Sequence, residues 1–108
     1  MDESAPRDLD LIRVALLHLS QQERSPPEAI FVSLSELSAQ WSASLQDVAR
    51  ALEFLSLRGF IEGPGWFEAD VFLFRKVTAK GRTLARAIGH PRDWTAIKAH
   101  YLAEKPLA

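Results

Sequence analysis

A stripe of apolar residues marks the first element of the chain. Placed at helical spacing, four apolar positions share one face and predict a helix over about residues 8–22. Prolines at positions 26 and 27 end it, because proline cannot continue the helical hydrogen-bond ladder. A β-branched and aromatic run at 30–32 predicts a small strand, and the polar residues 1–7 are expected to be frayed. The four apolar positions are Leu9, Ile12, Leu16 and Leu19.

Two helix-cap signatures follow in the next segment. Ser33 stands three residues before Glu36, a capping box that predicts a second helix over about 34–41. A similar cap at Ser44 predicts a third helix over about 45–58, and the glycine that follows suits the left-handed residue that closes a helix. Two capped helices joined by a short turn are typical of a helix-turn-helix.

The remaining pattern predicts a wing and two further helices. We expect strands at about 60–62 and 71–77, a turn at 63–65, and helices at about 79–88 and 92–103. On the second strand, Val71, Leu73 and Val77 are predicted to share one face, opposite Phe72 and Phe74. The expected fold is α+β and mainly helical: a winged helix-turn-helix with a small β-hairpin wing and a C-terminal two-helix extension, in a single domain over 1–108.

Several segments resemble known winged-helix families. The third helix and its continuation resemble the core pattern of many bacterial winged-helix regulators, through Val48, Ala51, Leu52, Leu55 and the run Gly59-Phe60-Ile61. The first helix from Asp8 and the closing segment resemble a small bacterial and phage winged-helix family of unknown function, through Val77, Thr78, Gly81, Ile88, Trp94, Ile97 and Lys98. This resemblance implies the fold and no activity. The chain departs from that family at Gly89-His90-Pro91, where the family keeps a polar, charged turn.

Composition adds a division of charge along the chain. The apolar fraction of 47% suffices for a core without disulfides, and the chain has no cysteine. Residues 1–74 hold five Lys/Arg and twelve Asp/Glu, a net charge of −7, whereas residues 75–108 hold eight Lys/Arg and two Asp/Glu, a net charge of +6. Folding either brings these parts together so that their charges neutralise, or leaves a surface that binds anions.

The sequence predicts a protein that is not an enzyme and needs no cofactor or metal. The absence of cysteine excludes thiolate metal sites and a cysteine nucleophile. A group of His90, Asp93 and His100 matches no strong metal-ligand spacing, and no glycine-rich phosphate loop is present. Apolar runs are too short to span a membrane, and the acidic, polar start of the chain is unlike a signal peptide, so we expect a cytoplasmic protein.

The third helix carries the candidate contacts to double-stranded DNA. Gln46 and Arg50 lie opposite its apolar face, and these residue types hydrogen-bond adenine and guanine edges. Ser42 and Ser44 precede them and are candidates for phosphate contacts. Acidic neighbours in the same helix would repel phosphates, so a solvated polar face is the alternative interpretation.

A basic cluster in the C-terminal part is the candidate phosphate-binding surface. It surrounds the start of the fourth helix, where exposed backbone N–H groups favour an anion. The alternative is a counter-surface for the acidic first helix of the same or a neighbouring subunit. The candidate residues are Lys76, Lys80, Arg82 and Arg86.

Apolar side chains outside the predicted core define a candidate partner interface. The second wing strand is apolar on both faces, and one face needs a cover. These residues predict a homodimer, or else a winged-helix module that binds another protein without binding DNA. The candidate residues are Phe54, Leu57, Trp66, Phe72 and Phe74.

Overall fold

The computed structural model describes the backbone of residues 4–104 and the side chains of residues 9–99. The helices are α1 (Ser4–Gln22), α2 (Leu34–Trp41), α3 (Leu45–Leu57), α4 (Ala79–Ile88) and α5 (Pro91–Glu104). The strands are β1 (Ile30–Ser33), β2 (Ile61–Glu62), β3 (Gly65–Glu68), β4 (Val71–Phe74) and β5 (Lys76–Val77). The predicted α+β winged helix-turn-helix is therefore confirmed. Helix α1 begins at Ser4, inside the segment expected to be frayed, and residues 1–3 lie outside the described part.

The wing differs from the predicted hairpin. Strands β3 and β4 pair antiparallel around a turn at Ala69 and Asp70, and β1 pairs with the other side of β4. The predicted turn at 63–65 is wrong: β2 pairs instead with β5, and Gly65 already belongs to β3. Gly63 lies so close to β4 that an added Cβ would stand 2.7 Å from the carbonyl oxygen of Leu73. Glycine at this position allows two backbone segments to approach closely, which local turn signals do not reveal.

The faces of β4 agree with the prediction from Val71 to Phe74 and differ from it at Val77. Phe72 and Phe74 point into the core, whereas Val71 and Leu73 point away from it. The alternation does not continue to Val77, which is fully buried, because Arg75 separates β4 from β5. The backbone N–H of Arg75 donates to the carbonyl of Glu62 in β2 at 3.0 Å, so the chain passes there from the three-stranded sheet to the two-stranded sheet.

The core forms where α1 crosses α3. Leu16 and Leu19 of the predicted stripe are fully buried, and Leu52 and Leu55 of α3 pack into the same cluster. The sheet adds Phe74 from the inner side. This packing holds α3 by one face, so its opposite face is left at the surface.

Helix α5 is attached to α1 by a polar cluster. The Asp10 Oδ1 atom accepts hydrogen bonds from Trp94 Nε1 and from Lys98 Nζ, both at 2.8 Å. Partial burial of the Asp10 carboxyl would raise its pKa, but the hydrogen bonds from Lys98 and Trp94 and the charges of Lys98 and Arg13 outweigh it. The pKa of Asp10 therefore lies below its usual range.

Arg13 joins α1 to the end of α4. Its guanidinium donates to the carbonyl oxygens of Ile88 at 2.7 Å and Gly89 at 3.2 Å, which lie at the C-terminal end of α4. A cation at that end also suits the helix dipole. Within the described part of the chain, no helix is long and apolar enough to cross a membrane.

Candidate functional site

The turn of the helix-turn-helix is built by two serines. Ser44 caps α3, and its hydroxyl accepts a hydrogen bond from the Asp47 N–H at 3.0 Å. Ser42 closes α2 in the left-handed conformation, with φ of 52°. Both side chains are exposed beside the start of α3. The predicted phosphate contacts at these residues are thus accessible, although the Ser44 oxygen already serves the helix cap.

The outer stripe of α3 mixes base-contacting, acidic and apolar side chains. At 100° per residue, Gln46, Arg50, Glu53 and Leu57 form one line opposite the buried face, and all four are exposed. Arg50 lies 3.4 Å from the Asp47 carboxylate, an exposed pair that costs little to break. The predicted base-contacting residues therefore stand together at the N-terminal half of the helix, flanked by carboxylates.

The wing is short and docks against α3. The Trp66 Nε1 atom of β3 donates to Glu53 Oε2 at 3.1 Å, and its indole packs edge-on against Phe72. At the other end, Ser33 of β1 is paired with Val71, the first residue of β4. The turn of the wing is therefore level with the start of α2 and does not extend beyond it.

The charge at the wing turn is negative. Glu68 and Asp70 are both exposed there, and the Asp70 carbonyl accepts the Leu34 N–H at 2.9 Å. A short, acidic wing is unsuited to phosphate contacts, because these depend on Lys, Arg and neutral donors.

The candidate phosphate-binding residues do not gather beside Gln46 and Arg50. Lys80 donates to the carbonyl oxygen of Arg58 at 2.7 Å, so it lies at the C-terminal end of α3. With a rise of about 1.5 Å per residue, that end is about 18 Å from Gln46 along the helix axis. Lys76 is half-buried on β5, and Arg86 is exposed on α4.

Arg82 is bound to the first part of the chain. Its Nη2 atom lies 3.3 Å from Glu23 Oε2, just beyond the end of α1. The same oxygen accepts the backbone N–H of Val77 at 2.9 Å. Arg82 is thus placed as the sequence alternative described, facing an acidic residue near the first helix in the same subunit. The pattern of apolar residues did not indicate that Glu23 would accept these hydrogen bonds.

The structure corrects the candidate partner interface. Phe72 and Phe74 belong to the core, with 3% and 0% exposure, so their surfaces are covered within the chain. Phe54 is half-buried and stacks on Phe60 with ring centroids 6.2 Å apart. Leu57 is 84% exposed and Trp66 is partly exposed, so these two remain at the surface.

An apolar cavity lies among four of the helices. A cavity of about 170 Å³ between α1, α3, α4 and α5 has an apolar lining that includes Phe54, Trp94 and Ile97. Arg13 and Lys98 also border this cavity, and their charged groups are bonded to the end of α4 and to Asp10. Among the side chains that the structure describes, no group of three or more His, Asp or Glu residues is suited to a metal ion.

Two solved structures share the architecture. ZitR of Lactococcus lactis, in the apo form of a double mutant, superposes with a TM-score of 0.55 at 17% identity, over 95% of this chain and 72% of that one. The adhesin competence repressor AdcR of Streptococcus pyogenes gives a TM-score of 0.53 at 20% identity, over 91% of this chain and 66% of that one. No protein-family model and no curated protein sequence matches the chain. The likeness supports the winged-helix architecture, while the resemblance to one particular bacterial and phage family stays a prediction.

Proposed function

We propose that this chain is a DNA-binding transcription regulator, not an enzyme, that places the N-terminal half of α3 in the major groove. The observation that carries the proposal is the exposed pair of Gln46 and Arg50 on the outer stripe of α3. Glutamine matches the donor and acceptor pattern of adenine, and arginine that of guanine. The fold supports the proposal, since one of the two similar structures is a repressor.

Backbone contacts make a small contribution in this proposal. Ser42 and Ser44 contact phosphates near the start of α3, and Lys76, Lys80 and Arg86 supply the cations, since Arg82 is held by Glu23. Three phosphate contacts give a slope of about −2.7 for the logarithm of the binding constant against the logarithm of salt concentration. We therefore expect weak non-specific binding, with specificity that depends on the base contacts.

A titration of the full chain against mixed-sequence duplex DNA at two salt concentrations tests the proposal. Binding should weaken as the salt concentration rises. For the duplex that binds most tightly among the mixed sequences, Arg50→Ala should reduce the affinity about tenfold or more, as expected for the loss of one bidentate base contact. Arg92→Ala is the matched control, because it also removes an exposed arginine but lies on α5, and it should leave affinity unchanged. Failure to bind any duplex at low salt, or wild-type affinity of Arg50→Ala, contradicts the proposal.

A homodimer belongs to the same proposal. A second copy would cover Leu57, which is the most exposed of the large apolar side chains described, and would present two α3 helices to successive turns of the groove. Light scattering at micromolar concentration checks this expectation. A monomer mass, together with unchanged stability of Leu57→Ser, would rule out a dimer through this surface.

The second candidate function is a protein-binding module that does not bind DNA. The short, acidic wing favours it, because Glu68 and Asp70 stand where a longer basic wing would contact phosphates. In this case the chain binds no duplex even at low salt, which the same titration detects.

A further inference from the structure

An apolar surface lies on the side of the wing sheet that faces away from the core. Phe31 of β1 is 69% exposed and Phe67 of β3 is 57% exposed. Their rings meet edge to face with centroids 5.6 Å apart. Leu73 of β4 is paired with Phe31 and lies between the two edge strands. Phe31, Phe67 and Leu73 are called the outer sheet face below.

Carboxylates border one end of the outer sheet face. Glu68 follows Phe67, and Asp70 lies in the adjoining turn. Glu36 lines a cleft together with Phe31 at the start of α2. All three are exposed, and none of them makes an ion pair within the part of the chain that the structure describes. This end of the surface therefore carries uncompensated negative charge.

The opposite end of the outer sheet face is closer to neutral. There Arg75 follows β4, and its guanidinium lies 2.9 Å from the carboxylate of Glu62. The charge of the surface is therefore set by the three carboxylates at the wing turn. A ligand that covers the rings meets apolar surface in the middle and negative charge at one side.

The negative charge at the wing turn determines which class of ligand the outer sheet face can bind. In a two-fold dimer through the outer sheet face, the carboxylates would meet either the same carboxylates or the near-neutral end of the second copy, and nucleic acid or an anionic lipid would be repelled. We propose that the outer sheet face binds a segment of a partner protein that carries apolar side chains next to lysine or arginine. The proposal stands independently of whether α3 binds DNA.

The edge of the sheet offers main-chain contacts to the same segment. The Leu34 N–H donates to the Asp70 carbonyl, and hydrogen-bonded pairs alternate along an antiparallel ladder. By this alternation, the backbone N–H and carbonyl of Phe31 point away from β4, toward the free edge of β1. An extended segment beside β1 would bond these groups while its apolar side chains cover the two rings.

A display library of random peptides tests the proposal with the full chain as target. The double variant Phe31→Ser/Phe67→Ser is the counter-target, and both sites are exposed, so its melting temperature should stay close to that of the wild type. Peptides that bind only the wild type should be enriched in Lys and Arg beside Val, Leu, Ile and Phe. An enriched peptide, made synthetically, should bind Glu68→Lys/Asp70→Lys about tenfold more weakly, since two attractive contacts become repulsive.

Leu57→Ser is the matched control, because it also removes an exposed apolar side chain but lies on α3. It should bind the synthetic peptide like the wild type. Enrichment of acidic or uncharged peptides overturns the proposal, and so does the absence of peptides that distinguish the wild type from the double variant. Equal peptide affinity of Glu68→Lys/Asp70→Lys and wild type also overturns it, as does a dimer whose mass depends on Phe31 and Phe67.

Discussion

Replacing Glu23 tests how the basic C-terminal part is attached to the first part of the chain. Its side chain is only 18% exposed, and one carboxylate oxygen accepts both the Val77 N–H and the Arg82 guanidinium. Val77 is fully buried, so Glu23→Ala leaves a buried backbone donor without its partner. That loss costs about 1–3 kcal/mol. The half-exposed ion pair with Arg82 adds at most about 1 kcal/mol.

Two further variants separate these contributions. Glu23→Gln keeps an oxygen that can accept the Val77 N–H and removes only the charge, so it should cost less than about 1 kcal/mol. Arg82→Gln should cost a similarly small amount. Urea denaturation at neutral pH measures all three variants, and the dependence of unfolding free energy on urea should be unchanged. The reasoning is refuted if Glu23→Ala costs no more than Glu23→Gln, or if Arg82→Gln is the most damaging of the three.

Three further changes test the core, a close backbone approach and the α1–α5 contact. Leu52→Ala should cost about 2–5 kcal/mol, since Leu52 is fully buried between α3 and α1, and a loss below about 1 kcal/mol in urea denaturation would mean that it is not a core residue. Gly81→Ala should lower the melting temperature despite alanine's higher helix propensity, because its Cβ would overlap the Phe60 carbonyl oxygen; an unchanged or higher melting temperature contradicts this close approach. Asp10→Asn should be less stable than the wild type by under about 1 kcal/mol at neutral pH, because the carboxyl is half exposed. The lowered pKa of Asp10 means that its stabilisation is complete above about pH 4 and is lost as the pH falls through the folded-state pKa, so urea midpoints of the two proteins should converge in acid.

Local signals in the sequence predicted the helices well. Ser33 and Ser44 were each expected to cap a helix, and each hydroxyl accepts the backbone N–H three residues later. A cap depends on a few adjacent residues, so sequence alone is sufficient to place it. The bounds of α2 and of β1 agree with the prediction to within one residue.

The pairing of the strands could not be predicted from adjacent residues in the sequence. The glycines near position 64 indicate unusual backbone geometry, but they do not say which strands pair across it. As a result the turn was predicted at 63–65 instead of 69–70, and the inward direction of Phe72 and Phe74 was missed. Both depend on the partner strand and on the core beneath it, which are set by distant residues.

Only part of the candidate site was predicted, because sequence spacing reveals helix faces but not strand pairing. Helical spacing placed Gln46 and Arg50 on the outer side of α3, where the structure has them. The outer sheet face was missed, because the exposure of Phe31 follows from the pairing of β1 with β4. Nothing in a short apolar run distinguishes an edge strand with an exposed phenylalanine from a buried one.

Both interpretations of the charge division apply, each to a different set of residues: some charges are neutralised by folding, and others remain at the surface. Arg82 with Glu23, Lys98 with Asp10, and Arg75 with Glu62 each join the basic C-terminal part to the acidic first part, so folding neutralises a share of both.

The charge that remains is separated in space. Among the described residues, Glu36, Glu68 and Asp70 make no ion pair at the wing turn and the start of α2, while Lys80 lies at the C-terminal end of α3. A duplex lying along α3 would therefore meet repulsion at the wing and attraction only toward the far end of the helix. Sequence-independent binding must then be weak, and any affinity for DNA has to come from the contacts of Gln46 and Arg50 with base edges. This is why the Arg50→Ala titration decides between the two candidate functions more sharply than any change in the basic residues.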